Sequence, residues 1–236
     1  MLELLQTYTP WLLVGQYPSG PIGGLALTLF LAVTGLVCAF PLSVLVGIAR
    51  SSESRWARAP AFVIVHIVRG LPVLMLIFWC YYVIPLLFGR SVPGIATLIA
   101  ALIFYEMAFL GEVVRAGIQA IPKGQIEAAR SLGLSRTRCM LDIVLPQALF
   151  NMIPSILSQF INLIKNTSLG YIISVEELTY FGHQINSTVL TRPMEVFLMV
   201  AAFYFVVCFS LARLVGWTER HVRRRRGNLI AQGGEQ

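Results

Sequence analysis

The sequence predicts an all-α membrane protein with about five transmembrane helices. Three observations predict it. The 236 residues are 57% hydrophobic and only 12% charged, with a mean hydropathy of +0.75. Five long apolar runs follow one another along the chain. The basic residues concentrate in alternate loops between those runs. An average soluble domain is roughly 25% charged, so a water-soluble globule of this composition would expose large apolar patches. Disorder goes with the opposite composition, low hydrophobicity and high net charge. A span takes about 20 apolar residues. A chain of this length therefore holds five or six with their loops and leaves no room for a large soluble domain.

The elements follow in order. Residues 1–22 carry no Lys or Arg. They lack the basic region that precedes the apolar core of a secretory signal, and the first span is expected to be retained. That span is Gly23 to Ala49, with Pro41 inside it. The next run, Ala61 to Phe88, is interrupted by Arg69-Gly70-Leu71-Pro72 and is long for one straight span. It divides into an interfacial stretch, Ala61–Val68, and a span from Pro72 to Phe88. The third span is Ile95 to Val114, the fourth Gln147 to Ile164 with Pro154, and the fifth Pro193 to Val215.

Loop charges orient these spans. Arg50, Arg55 and Arg58 follow the first. Arg115, Lys123, Arg130, Arg136 and Arg138 follow the third. Arg213, Arg220 and the run Arg223–Arg226 follow the fifth. The intervening loops carry only Arg90, Lys165 and Arg192. Positive charge marks the cytoplasmic side. The expected topology has residues 1–22 periplasmic, a transmembrane domain over 23–217 with a cytoplasmic loop at 115–146, and a basic cytoplasmic tail at 218–236. The Arg223–Arg226 run reads as a juxtamembrane cluster held by anionic lipid, not as a nucleic-acid site. Cys38, Cys80, Cys139 and Cys208 form no CxxC or His/Cys cluster, and His66, His183 and His221 fit no ligand spacing, so no metal site is expected.

The loop at 115–146 is more than a polar linker. Pro122 and Gly124 open it, Gln125 to Leu132 is rich in helix formers, and Gly133 stops that helix as a left-handed glycine would. A second amphipathic stretch, Arg136 to Leu145, leads to Pro146. Small residues on one face suit close docking of another protein.

Glu127-Ala128-Ala129, three residues, Gly133, nine residues, Ile143, one residue and Leu145-Pro146 resembles the EAA loop of ABC-transporter permease subunits. Several flanking segments are similar to the polar amino acid branch of that family. They are Ile121-Pro122-Lys123-Gly124-Gln125, Leu145-Pro146-Gln147-Ala148, Arg69-Gly70-Leu71-Pro72, Glu112-Val113-Val114-Arg115 and Asn162-Leu163-Ile164-Lys165-Asn166-Thr167-Ser168-Leu169. The resemblance runs from about Gly24 to Glu219. The branch usually has Thr in place of Leu71 and a small or amide residue near Glu106.

The resemblance implies the type I ABC importer permease fold in a bacterial inner membrane. It also implies three partners: a cytoplasmic ABC ATPase dimer, a second permease that is a copy or a related chain, and a periplasmic amino-acid-binding protein. ATP and Mg would bind the ATPase, and no cofactor is expected in this chain. The absence of any G-x-x-x-x-G-K-[ST] agrees. Glu127 would be the polar contact with the ATPase, with Ala128, Ala129 and Gly133 allowing the close fit and Ile143, Leu145 and Pro146 completing the loop.

Two features carry the candidate pathway. Gln147, Asn151, Ser155, Ser158 and Asn162 recur at spacings that share a helix face, and Lys165, Asn166, Thr167 and Ser168 prolong it. A polar face should point at protein or water, so it lines the pathway, meets the second permease, or glues helices together. Glu106, in mid-span, is either a ligand for a substrate amino group, a neutral hydrogen-bonded acid, or the partner of a basic residue. Glu112 and Arg115 are spaced as an ion pair. Arg69 reads as an interfacial anchor. Ser168–Gly182, with Glu176 and Glu177, resembles the segment that closes the outer gate. No clustered catalytic groups support an integral-membrane enzyme. A stand-alone secondary carrier normally contains two related halves, and no internal repeat is present. The stretch Val73–Trp79, Glu106 and Asn166-Thr167-Ser168 looks most like permeases for glutamate and aspartate. Basic amino acids or glutamine are the alternatives.

Overall fold

In the computed structural model the described residues are 2–233, with side chains described for 4–222. Among them the regular structure is helical, with only two isolated β-bridges. Helix α1 spans Leu2–Val14, α2 Gly24–Ser51, α3 Arg55–Gly70, α4 Val73–Phe88 and α5 Gly94–Gln119. Then come α6 (Lys123–Ser131), the single turn α7 (Arg136–Arg138), α8 (Leu145–Thr167), α9 (Leu178–Val189) and α10 (Pro193–Gly233). Four stretches are long and apolar enough to cross a membrane, and α3 and α4 pass the same test only as a bent pair.

Helices α2 and α5 form the axis, and two glycines set their separation. A Cβ on Gly47 would lie 2.4 Å from Cγ1 of Val114, and one on Gly111 would lie 2.8 Å from Cγ1 of Val46. Lipid gives apolar helices no hydrophobic reason to associate, so close van der Waals packing over small residues must hold them together. Gly47→Val is expected to destabilise by about 1–3 kcal/mol through overpacking. The check is a thermal melt in detergent, and an unchanged Tm would show that the two helices separate freely.

Around this axis Leu31, Ile77, Leu98, Leu102, Leu163 and Ile164 are buried between α2, α4, α5 and α8. A second cluster joins α1, α9 and α10 through Leu12, Leu178, Phe181, Ile185 and Met199. A helix at residues 2–14 was not expected from the sequence, because its apolar residues are interleaved with Gln6, Thr7, Tyr8 and Thr9. Its Leu4 and Leu12 are nonetheless buried.

The interruption at Arg69–Pro72 is an elbow, where the chain bends by 103° between α3 and α4. Gly70, Leu71 and Pro72 break the helix as their chemistry requires, since the residue before proline disfavours helical backbone. The expected stretch Ala61–Val68 is longer than predicted. It begins at Arg55, because the polar residues read as loop continue the helix on its exposed side. Two expected boundaries carry no break. The distal part of the 115–146 loop runs through a π-helical turn, Cys139–Val144, directly into α8. Helix α10 runs past residue 217 into the tail. The side chains of Arg223–Arg226 lie outside the described residues, as does the backbone of 234–236. The four cysteines are free, with Cys139 buried and Cys38 exposed.

Candidate functional site

The candidate docking loop is built on α6. Pro122 precedes its first residue, and its end is a Schellman motif. Gly133 has φ +83°. Its N–H donates to the Arg130 carbonyl at 3.0 Å, and the Leu134 N–H donates to the Ala129 carbonyl at 3.3 Å. This pairing satisfies carbonyls that a helix end would otherwise orphan. The left-handed glycine expected from the sequence is therefore present. Ser135 then starts the next turn by accepting the Arg138 N–H at 3.3 Å.

The loop's outward surface is Glu127, Ala128, Leu132, Gly133 and Pro146. Ala129 corrects the expectation from sequence. It is only 3% exposed and packs inward with Ile121, Cys139, Val144 and Ala148, on the side of the helix away from the exposed Glu127 and Ala128. Ile143 and Leu145 are half-buried, and Ile143 packs on the same cluster. They support the loop from beneath. Leu132 was not singled out by the sequence and is 84% exposed. An apolar residue immediately before a left-handed glycine, with no position in the apolar periodicity, was the available signal.

At the same end of the bundle Glu112 gathers three arginines. It pairs with Arg115 as expected, Arg115 Nε donating to Oε1 at 2.9 Å. It also pairs with Arg50 at the end of α2, and Arg69 Nη1 stands 3.8 Å from its Oε2. Arg69 is therefore more than an interfacial anchor. It belongs to this cluster and lies over the Phe109 ring at 5.3 Å. Arg136 pairs with Glu53 across the surface, a contact of little energetic weight at that exposure.

The polar face of α8 points away from its own bundle. Ser155, Ser158, Asn162 and Lys165 are exposed, while Met152, Leu163 and Ile164 face the core. Gln147, Asn151, Asn166 and Ser168 are half-buried at its margins. Thr167 departs from the expected stripe. It is fully buried and its hydroxyl donates to the Ile164 carbonyl at 2.7 Å, so it closes the helix end instead of lining a path.

Glu106 is fully buried. Its Oε2 accepts from Gln159 Nε2 at 3.4 Å, and among the described residues its Oε1 has no hydrogen-bond partner. No basic residue pairs with it among the described ion pairs. Gln159 in turn accepts from Asn162 Nδ2 at 3.0 Å. A polar chain thus leads from the buried carboxylate to the exposed face. Gln159 was absent from the expected stripe. Its spacing, four after Ser155 and three before Asn162, satisfies the same face rule.

At the opposite end a buried latch closes the α8–α9 turn. Glu177 caps α9 by accepting the Tyr180 N–H at 2.9 Å and accepts the Tyr204 hydroxyl at 2.8 Å. Thr28 accepts the Leu178 N–H at 3.1 Å, and the Gly24 N–H donates to the Glu176 carbonyl at 3.0 Å. Burial raises the Glu177 carboxyl to about 7, against the opposing pull of these hydrogen bonds. A carboxyl raised in the folded state binds more protons there than when unfolded. The contribution of this group to stability is therefore full below pH 4.5 and is lost as pH rises through 7, by on the order of 3 kcal/mol in all. Melting between pH 5 and 7.5 should show the fall, and Glu177→Gln should flatten it. Parallel profiles for the two proteins would refute the assignment.

Residues 39–224 match the family of binding-protein-dependent transport system inner membrane components, and the chain belongs to that family. It is a multi-pass inner-membrane ABC-transporter permease subunit. Among similar proteins, a probable glutamine ABC transporter permease of Bacillus subtilis is 38% identical over 80% of this chain and 87% of its own. The glutamate transport system permease protein GluD of Corynebacterium glutamicum is 33% identical over 98% and 82%. A crystal structure described as an amino acid ABC transporter with histidines superimposes with a TM-score of 0.80 at 29% identity, covering 93% of this chain and 97% of that one. Inward-facing structures of the MetNI methionine ABC transporter share the fold, with a TM-score of 0.63 at 23% identity.

Proposed function

We propose that this chain is the membrane subunit of an ATP-driven importer of a polar amino acid, glutamate or aspartate being the leading substrates and glutamine the second. The carrying observation is the outward polar face of α8. Ser155, Ser158, Asn162 and Lys165 would be costly against lipid, so they call for a second permease and a wet pathway between the two. The N-terminus lies in the periplasm and the basic tail in the cytoplasm, in keeping with the charge distribution. A periplasmic binding protein delivers substrate, and a separate ATPase pair holding ATP and Mg drives alternating access. Glu127, Ala128, Leu132 and Gly133 form the ATPase-facing knob. ATP acts by favouring one permease state through differential contacts, which is the only way a ligand can shift such an equilibrium.

Glu106, reached through Gln159 and Asn162, is the candidate ligand for the substrate ammonium. Lys165, on the same face, complements an acidic substrate. The glutamine reading is favoured by the name of the 38% identical relative. Basic amino acids fit Glu106 but set their side-chain charge against Lys165.

Two measurements test this. Affinity purification of the chain from its native membrane should bring an ATP-hydrolysing subunit with it. Uptake by the chain alone, driven by an ion gradient, would instead make it a secondary carrier. Titrating the cognate binding protein with the twenty amino acids should give its tightest binding with glutamate or aspartate. Tightest binding of glutamine would select the second reading, and of arginine or lysine would overturn both.

A further inference from the structure

Three guanidiniums converge on one carboxylate where α2, α3 and α5 meet. Glu112 cannot neutralise Arg50, Arg69 and Arg115 together, so the cluster carries surplus positive charge. Arg50 is nearly enclosed, its side chain 7% exposed, and Arg115 grips Oε1. Arg69 is different. Its side chain is 40% exposed, it stands 3.8 Å from Glu112 Oε2, and among the described residues it donates no hydrogen bond within the chain. The Phe109 ring holds it from one side. A guanidinium carries five donors in a planar fork that fits a phosphate bidentately.

The surroundings indicate the source of that phosphate. Helix α3 is amphipathic, with exposed Arg55, Trp56 and Arg58 at one end and exposed Phe62, Ile64 and Ile67 beyond them. Its other side buries Ala61, Val65 and Val68. A helix of this pattern lies in the headgroup region with its apolar residues on the acyl boundary. Arg69 therefore presents open donors at the elbow where such a helix turns into a span.

We propose that Arg69, backed by Arg115, seats the phosphate of an anionic phospholipid at the α3–α4 elbow, with an acyl chain lying beside Phe62, which shares the Arg69 face of α3. The bound phosphate relieves the mutual repulsion of the three guanidiniums and fixes the elbow against α5. This seat uses none of the arginines of the basic tail. The leaflet follows from the topology proposed above, but occupancy in a solubilised complex depends neither on that topology nor on transport.

The test titrates the full chain, delipidated in detergent with its co-purifying subunits, and counts bound molecules by native mass spectrometry. The probes are phosphatidylglycerol, phosphatidylcholine and inorganic phosphate. Phosphatidylglycerol should be retained at a specific site where phosphatidylcholine is not. Arg69→Gln should weaken that retention roughly tenfold, the loss of one charge-assisted contact. Replacing Arg223–Arg226 by glutamine should leave the site filled. Equal retention of the two lipids, a comparison that needs no variant, overturns the proposal. So does unchanged phosphatidylglycerol binding in Arg69→Gln, or its loss in the tail variant. Binding of inorganic phosphate without phosphatidylglycerol overturns the lipid as source.

Discussion

Replacing Gly133 with aspartate is expected to abolish coupled uptake while leaving the helical bundle folded. The position is unusually suited to separating the two effects. Gly133 holds φ +83°, a backbone region that side chains other than Asn and Asp rarely adopt, yet a Cβ built there meets nothing within 4 Å. The chain's own packing therefore tolerates the new side chain, and the strain is about 1–2 kcal/mol at most. What should not tolerate it is the proposed ATPase fitted closely over Glu127, Ala128, Leu132 and Gly133, because the substitution adds bulk and negative charge beside Glu127. Leu132→Glu is the companion variant. Leu132 is 84% exposed, and its replacement should change stability by no more than about 0.5 kcal/mol. Burying such a side chain in an interface is worth about 2 kcal/mol, which is roughly thirtyfold in affinity. Leu132→Glu should keep the wild-type melt in detergent and Gly133→Asp should melt only a few degrees lower, while both co-purify little ATPase and transport at background. Normal transport by either one would remove α6 from the ATPase interface.

The reason this loop was legible in the sequence is local. Glycine at a helix stop, helix formers before it and proline on either side act through backbone preferences that need no tertiary context. The spans were legible for a similar reason, since lipid demands continuous apolar helices whatever their neighbours. Ala129 shows where that legibility ends. A small residue in a docking motif reads as part of the contact surface, but its direction depends on the core formed by Cys139, Val144 and Ala148 beneath the loop. Thr167 fails in the same way, its polarity suggesting the pathway while its hydroxyl is spent on the preceding turn. The network around Glu112 was half visible. The i,i+3 pair with Arg115 follows from spacing alone, whereas Arg50 and Arg69 arrive from helices 62 and 43 residues away in sequence and could be found only once α2, α3 and α5 were packed. Gln159 was a matter of choice among faces. Ser158 and Gln159 are neighbours, and only the buried position of Glu106 decides which of them matters.

Glu112→Gln is expected to be the most destabilising single substitution at the basic end, costing about 3–5 kcal/mol. The carboxylate is the common partner of Arg50, Arg69 and Arg115, so removing its charge leaves three guanidiniums facing one another. Arg69 and Arg115 are exposed enough to turn towards water. Arg50 is not, being 7% exposed, and its position over the Phe62 ring at 5.6 Å cannot replace a counter-charge. The penalty is thus mainly that of one stranded cation, because Coulomb repulsion between more exposed groups is screened. That reasoning makes a second, sharper prediction. Arg50→Met in the Glu112→Gln background should recover most of the loss, because a pair of buried charges exchanged for apolar packing is often neutral. Arg115→Met in the same background should recover little. Melting of the wild type, the single variants and the two double variants in detergent, arranged as double-mutant cycles, reads the outcome directly. If Glu112→Gln melts within about 1 kcal/mol of wild type, the cluster is a surface feature and contributes nothing to holding the elbow. If Arg115→Met rescues as well as Arg50→Met, the loss of stability comes from repulsion among the arginines and not from the burial of Arg50.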